Sequence, residues 1–279
     1  SFTLENLVTS GDINIAVNQV AKNAADNNTT GTIADAVTVS FKTDTKNVTG
    51  SLNLPIVLTK QSLADATVTV KVNNASTATT LNTSTKTAPA FEVTYNGTAY
   101  DLEKSDIFKD FKISDGSHVL NGEYELSYSD NVNAGVVTVT ITGKEAYAGS
   151  TKKVYFKIAK ANVATTGLET KDSVTVNPNN NSDASLYKEA LDAKVKTTLN
   201  TGSKVTLEEG KDYTTKYYYA SVAGLTTETQ IKNNAGTNNA GQYLYVVATP
   251  VKDGNYTFAG ADGKLVKGVK IAKKSISGA

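Results

Sequence analysis

Residues 124–149 read YELSYSDNVNAGVVTVTITGKEAYAG, and this stretch decides the fold class of the 279-residue chain. Val136 to Thr142 is a continuous run rich in β-branched residues, which fit the pleated surface of a strand. Turn residues bound the run on both sides, at Asn133-Ala134-Gly135 and at Gly143. The stretch therefore predicts a long central strand between two turns in an all-β protein.

The same order of segments returns later in the chain. The first block consists of 123–128, 133–135, 143–149 and 154–160, and the second block of 212–217, 239–241, 254–260 and 268–273. A weaker copy of the closing half occurs at 37–41, 49–50 and 54–63. The closing strands end at Lys60, Lys160 and Lys273, a spacing of roughly a hundred residues, which is the size of one β-sandwich domain.

This repetition predicts three modules. We expect a divergent and truncated first module at 1–63, a second at 64–162, and a third at 163–279 with an inserted loop at 218–240. Because little chain separates the copies, the array should be stiff. Residue 1 does not resemble a natural start, and residues 276–279 resemble the opening of a further copy, so we expect the natural chain to extend beyond both ends.

Local patterns refine this interpretation. Asn96-Gly97 lies between two alternating segments, 91–95 and 98–100, and predicts a two-residue β-hairpin. Residues 243–249 predict another central strand. Short helical turns are expected at 105–111 and 183–191, whereas residues 12–25 fit either a helix or, at their start, a strand.

Composition removes several function classes. The chain has no Cys, Met or Trp, one His, and 28 basic residues that are all lysines, with a net charge of +1. Disulfides, structural zinc, iron–sulfur clusters and Cys-His catalysis are therefore excluded. The even charge balance and the missing arginines argue against nucleic acid as a partner. The longest apolar runs, such as 54–58, are too short to span a membrane, so we expect no membrane insertion.

The block at 124–150 resembles the repeat found in tandem in large bacterial cell-surface proteins, including adhesins and proteins of surface layers. The resemblance is good over 120–160, recognisable over 205–273 and faint before 65. It implies tandem Ig-like β-sandwich modules with a few short helices, an extracellular location at the cell surface or cell wall, and an architectural role. It carries no catalytic residues.

The sequence thus predicts a structural segment of a surface-layer lattice or a surface stalk. Its expected partners are other copies of itself or neighbouring modules of the same chain. The alternative is an adhesin module that binds carbohydrate or a host ligand, with cell-wall or host glycans as partners and 218–240 as the contact loop. A third class, an accessory region of an extracellular enzyme, has the least support.

Candidate catalytic residues are few. His118 follows the Asp115-Gly116 turn, without a nucleophile motif nearby, and we interpret it as a surface histidine. Carboxylates that could act in pairs on a glycosidic bond occur in two groups, Asp101, Glu103 and Asp106, and Glu208, Glu209 and Asp212. Such groups are common on solvated loops, so we expect no enzyme activity and no catalytic site.

Two other features suggest ligands. The oxygen-rich stretch 129–133 could hold Ca²⁺, but it lacks the EF-hand pattern, so we interpret it as a turn and expect no cofactor. Tyrosines that could stack on sugars cluster near the insertion, at Tyr217, Tyr218, Tyr219, Tyr243 and Tyr245. Alternation places residues 217 and 219 opposite residue 218, so part of this set should be structural.

Overall fold

A computed structural model describes residues 13–26, 30–42, 50–177 and 183–274. The chain is 47% strand and 12% helix, distributed over several sheets. This confirms the predicted all-β class with a few short helices. Residues 276–279, part of the expected extension, lie outside the described residues.

The N-terminal sheet has three antiparallel strands in the order β1-β2-β3. They are β1 (Ile13–Val17), β2 (Gly31–Phe41) and β3 (Ser51–Leu58), with helix α1 (Gln19–Asp26) between the first two. Their register places apolar side chains on one face, which we call the apolar face: Ile13, Ile15, Val17, Ile33, Val37, Val39, Phe41, Leu52, Leu54, Ile56 and Leu58. The opposite face carries mostly small and polar residues.

Helix α1 packs on that opposite face. Ala21 and Ala24 of the helix are buried, as is Ala36 of β2. The side-chain amide of Asn18 donates to the hydroxyl of Thr38 at 2.8 Å. Within the predicted segment 12–25, residues 13–17 are a strand and residues 19–25 a helix, so each of the two predicted alternatives describes one part, and residue 12 lies outside the described residues.

Two sheets follow in the next part of the chain. One has the order β6-β11-β10-β9 and the other the order β5-β4-β7-β8. The strands of the first are β6 (Glu92–Thr94), β9 (Tyr124–Ser129), β10 (Gly135–Gly143) and β11 (Thr151–Ala159). Those of the second are β4 (Thr67–Val72), β5 (Thr79–Thr80), β7 (Phe108–Asp115) and β8 (His118–Val119). The central strand predicted at 136–142 is confirmed as β10.

The C-terminal part has three sheets, with the orders β14-β20-β18-β17, β13-β15-β16 and β12-β19. The strands are β12 (Ala161–Val163), β13 (Leu168–Glu169), β14 (Ser173–Thr175), β15 (Lys194–Thr198), β16 (Lys204–Thr206), β17 (Tyr213–Ala220), β18 (Tyr243–Pro250), β19 (Tyr256–Phe258) and β20 (Leu265–Ala272). Two short helices are α2 (Lys188–Leu191) and α3 (Glu228–Asn233). The strand predicted at 243–249 is confirmed as β18. The helical turns predicted at 183–191 are confirmed as a 3₁₀ turn that leads into α2.

Two of the three four-stranded sheets, β6-β11-β10-β9 and β14-β20-β18-β17, each begin with a parallel pair of the same register. β6 pairs parallel with β11, with Val93 opposite Ile158, and β14 pairs parallel with β20, with Val174 opposite Ile271. Matching backbone bonds recur elsewhere. The N–H of Leu120 donates to the carbonyl of Ile113, and the N–H of Leu207 donates to the carbonyl of Val195. Of these residues, Ile158 and Ile271 belong to segments that were matched in the sequence.

Buried apolar side chains of the C-terminal part form a continuous core that includes Val163, Leu191, Val195, Leu244 and Ile271. The core side chains alternate along β18 and β20, because successive residues of a strand point to opposite faces. Tyr95, from the preceding block, also packs against this core.

The chain divides into two compact units. The first consists of Ser1–Asn82, Lys109–Ser127 and Val139–Val154, and the second of Thr83–Phe108, Tyr128–Thr138 and Tyr155–Ala279. The second unit therefore contains Tyr95 and the 131–134 loop together with the C-terminal sheets. The three-module division stays a prediction.

Two local predictions were wrong. Asn96-Gly97 does form a turn, in which the Asn96 side chain accepts from the N–H of Thr98 at 2.9 Å. The turn does not join a hairpin, because β6 pairs in parallel with β11 and residues 98–100 are not in a strand. Residues 105–111 form a turn that enters β7 rather than helical turns.

Candidate functional site

The candidate site is an interface in the second unit, centred on Asn255. This residue lies in the turn between β18 and β19, and the 131–134 loop leads into β10. The Asn255 side-chain oxygen accepts from the N–H of Ala134 at 2.8 Å. Its amide nitrogen donates to the Asn133 side-chain oxygen at 3.0 Å. One amide thus makes two bonds to the turn of the preceding block.

Further contacts surround this pair of bonds. The rings of Tyr95 and Tyr256 meet edge to face, with centroids 5.5 Å apart and an interplanar angle of 80°. The ammonium of Lys160 donates to the carbonyl of Lys252. Tyr256 is buried, and this burial raises its pKa well above the usual tyrosine range. Aromatic packing, hydrogen bonds between amides and one bond from a lysine ammonium therefore hold this interface together.

One backbone bond of this region has a counterpart in the first unit. The N–H of Ala161, directly after Lys160, donates to the carbonyl of Asn255 at 2.9 Å. The N–H of Gln61, directly after Lys60, donates to the carbonyl of Ala146 at 2.9 Å. In each case the acceptor precedes a buried tyrosine, Tyr256 or Tyr147. The chain thus enters both blocks through the same contact.

Sequence analysis did not identify Asn255. The residue follows the Asp253-Gly254 turn, and asparagine in a turn is ordinarily explained by local bonding. The only indication was its place one residue before a recurring tyrosine. That place shows where the turn belongs in the block but not which loop it contacts.

The insertion at 218–240 packs on the sheet and contains α3. Thr227 caps the helix through a capping box with Gln230. Ile231 of the helix and Ala220, Tyr245 and Val247 of the sheet form a small second core. The insertion therefore covers the face of the sheet opposite the main core.

Glu228 anchors this insertion. Its carboxylate lies 2.8 Å from the ammonium of Lys232 and 2.5 Å from that of Lys264, and it accepts from the Tyr218 hydroxyl at 2.5 Å. These three donors hold the pKa of Glu228 well below the usual range. Burial and the neighbouring carboxylate raise the pKa of Tyr218 to about 12.

The predicted tyrosine cluster is divided between the two faces of its sheet. Tyr219 belongs to the main core, with Tyr217 packed against it. Tyr245 belongs to the second core, with Tyr218 and Tyr243 packed against it. The Tyr245 hydroxyl donates to the carbonyl of Val222 at 3.0 Å. Tyr243 and Tyr245 are among the residues that line a concave surface of ≈ 230 Å³.

His118 is on the short strand β8. Its Nε2 lies 2.7 Å from the Glu123 carboxylate, whose other oxygen accepts from the N–H of Asn121 at 2.6 Å. The Asn121 N–H and His118 together lower the pKa of Glu123. His118 is thus placed in an exposed pair that fixes a turn.

The two carboxylate groups serve local structure. Asp101 accepts from the N–H of Glu103 at 2.9 Å and from the Tyr128 hydroxyl at 3.2 Å. In the second group, Glu209 pairs with Lys188 at 2.7 Å and Asp212 accepts from the N–H of Glu208 at 2.9 Å. The bonds of Asp101 and Asp212 to backbone N–H groups close local turns, whereas Glu209 and Lys188 form an ion pair between more distant residues.

The oxygen-rich stretch 129–133 is a turn in which Asp130 has a φ of 63°. Asn131 bonds Tyr100 through both its side chain and its backbone carbonyl, and the Asn133 side chain accepts from Asn255. Within the described residues, no three His, Asp or Glu side chains are grouped so that they could hold a metal ion. None of the described helices is long and apolar enough to cross a membrane.

Comparison with known proteins found only weak similarity. No protein family model matches the chain, and neither does any curated protein. A weak structural neighbour is the crystal structure of the S-layer protein SbsC, domains 7, 8 and 9, with 15% sequence identity. The alignment covers 89% of this chain and 72% of that chain, with a TM-score of 0.17. A score of that size does not define a common fold, so no property of SbsC is transferred.

Proposed function

We propose that this chain is a structural segment of a bacterial cell-surface protein, part of a surface-layer lattice or a surface stalk. It works through contacts between β-sandwich modules and has no catalytic turnover. The proposal assigns it to the cell surface or cell wall.

The interface at Asn255 carries this proposal. A side chain of one block bonds the turn of the block before it, and Tyr95 of that earlier block packs against the core of the later one. Such contacts transmit force and orientation from block to block. The shared register of the parallel pairs in two of the four-stranded sheets and the matching bonds at Gln61 and Ala161 support tandem modules.

The contacts of the polar side chains support a non-catalytic role. Catalysis requires a positioned acid, base or nucleophile facing a substrate cavity. His118, Asp101 and Glu209 instead bond to neighbours that fix turns or short strands.

Negative-stain electron microscopy of the purified chain tests the proposal. Two-dimensional sheets or regular filaments are expected, and particles that remain dispersed under all assembly conditions would contradict a lattice role. A hydrolytic activity that the His118→Ala substitution abolishes would contradict the non-catalytic role.

The alternative, a carbohydrate-binding adhesin module, involves the tyrosines beside the insertion. Tyr243 and Tyr245 border the concave surface of ≈ 230 Å³ described above. A glycan array tests this alternative directly. Binding that the Tyr243→Ala substitution removes, while a Tyr155→Ala control retains it, would favour the adhesin.

A further inference from the structure

Three residues of the apolar face of the N-terminal sheet are exposed, and the other eight are partly buried. Ile15 and Leu52 are each 60% exposed and Val17 is 52% exposed, although all three are aliphatic. Single exposed aliphatic residues are ordinary, but a contiguous patch on adjoining strands is not. Ile15 and Val17 are on β1 and Leu52 is on β3, and the register places all three on the same face, with the partly exposed Val37 and Val39 of β2 between them.

The two faces of this sheet differ sharply. Asn14, Thr38, Ser40 and Asn53 lie on the face opposite the apolar one, where Asn18 at the start of α1 bonds Thr38. The helix therefore stabilises the polar side. A sheet with one apolar face is stable when that face packs against another layer, most simply a second sheet about 10 Å away.

We propose that the apolar face is a dimerisation surface, and that it packs against the same face of a second copy of this chain. A two-fold axis between two identical sheets brings like residues together, so the surface must be self-complementary. None of the eleven side chains that define the apolar face is charged, so no like-charge repulsion among them opposes the pairing. Two such sheets form a sandwich across the copies.

The area is sufficient for a specific contact. With the observed exposures the face offers roughly 600 Å² per copy, so a face-to-face pair buries roughly 1,200 Å², the lower end of the range for specific interfaces. We therefore expect a dimer that dissociates on dilution. This inference is independent of the interface at Asn255, which lies in the second unit.

Sedimentation equilibrium of the full chain, over a wide concentration range, tests the proposal. The wild-type chain should show a monomer–dimer equilibrium. Leu52→Asp and Ile15→Asp, on different strands, should each weaken dimerisation at least about tenfold, because the pair would bury an unpaired charge. Both residues are exposed in the single copy, so the variants should fold, which circular dichroism verifies.

Val57→Asp is the matched control. Val57 lies on β3 like Leu52 and is 67% exposed, but it points to the opposite face. Its substitution should leave the dimer unchanged. A wild-type chain that is monomeric at every concentration would overturn the proposal. A dimer that resists both Asp substitutions, or that Val57→Asp also abolishes, would overturn it too.

Discussion

The side chain of Asn255 accepts a hydrogen bond at 2.8 Å from the backbone N–H of Ala134, 121 residues earlier in the chain. The same amide also donates to the Asn133 side chain. A half-buried amide that bonds two partners fixes the position and the orientation of the two loops that it joins, since moving either loop breaks both bonds together. This relationship joins the end of one block to the turn of another.

Asn255→Ala should loosen this interface without unfolding the sheets. We expect amide hydrogen exchange at Ala134 to accelerate about fivefold, as a lost hydrogen bond of about 1 kcal/mol implies. The control is Asn239→Ala, at the position that matches Asn133 in the later block. Unchanged exchange at Ala134 in the Asn255 variant would show that the bond does not hold the loop.

Gly268→Ala should destabilise the chain, although glycine in a strand normally weakens it. A Cβ at residue 268 would lie 2.5 Å from ring atoms of Tyr245, which is too close. We expect a loss of about 1–3 kcal/mol in the free energy of unfolding, measured by urea titration. In a Tyr245→Leu background the same substitution should cost less, because no ring opposes the new methyl group. Equal costs in both backgrounds would disprove this explanation.

Glu228→Gln should lower stability near neutral pH but not in acid. The lowered pKa of Glu228 means that its ion pairs stabilise the fold above the ordinary glutamate pKa of about 4.3, and that this contribution fades as the pH falls below it. We expect a cost of about 1–2 kcal/mol at pH 7, shrinking toward zero in acid. Thermal melts over a pH series measure this difference.

The control for this measurement is Glu125→Gln. Glu125 pairs with Lys144 at 3.2 Å, but both side chains are about half exposed or more. An exposed pair contributes less than about 1 kcal/mol. A Glu228 variant that behaves like the Glu125 variant at all pH values would contradict the anchoring role of Glu228.

Calcium should leave the melting temperature unchanged. The backbone oxygen of Asn131 and the side-chain oxygen of Asn133 already accept hydrogen bonds from Tyr100 and Asn255, which leaves fewer oxygens of the turn for an ion that takes 6–8 ligands. Differential scanning calorimetry with EDTA and with millimolar Ca²⁺ measures this. A rise in Ca²⁺ that Asp130→Ala removes would reveal a site at this turn.

The sequence by itself determined the all-β class and the strands at 136–142 and 243–249. These features depend on neighbouring residues, namely β-branched runs, alternation and turn residues. Two results show what such patterns cannot predict. The predicted segment 12–25 divides between a strand and a helix, and Asn96-Gly97 does not join a hairpin. Residues 92–94 alternate as a hairpin strand would, but they pair in parallel with 157–159, which no local pattern reveals.

Only the tertiary structure decided which residues form the candidate interface and which faces remain exposed. Asn255 has an ordinary turn context, and its role depends on a loop 121 residues away. The apolar face likewise depends on the register among three strands, since Ile15, Val39 and Leu52 are separated in sequence and adjacent only in the sheet. Alternation sets which side chains share a face within one strand, whereas long-range pairing decides what that face meets.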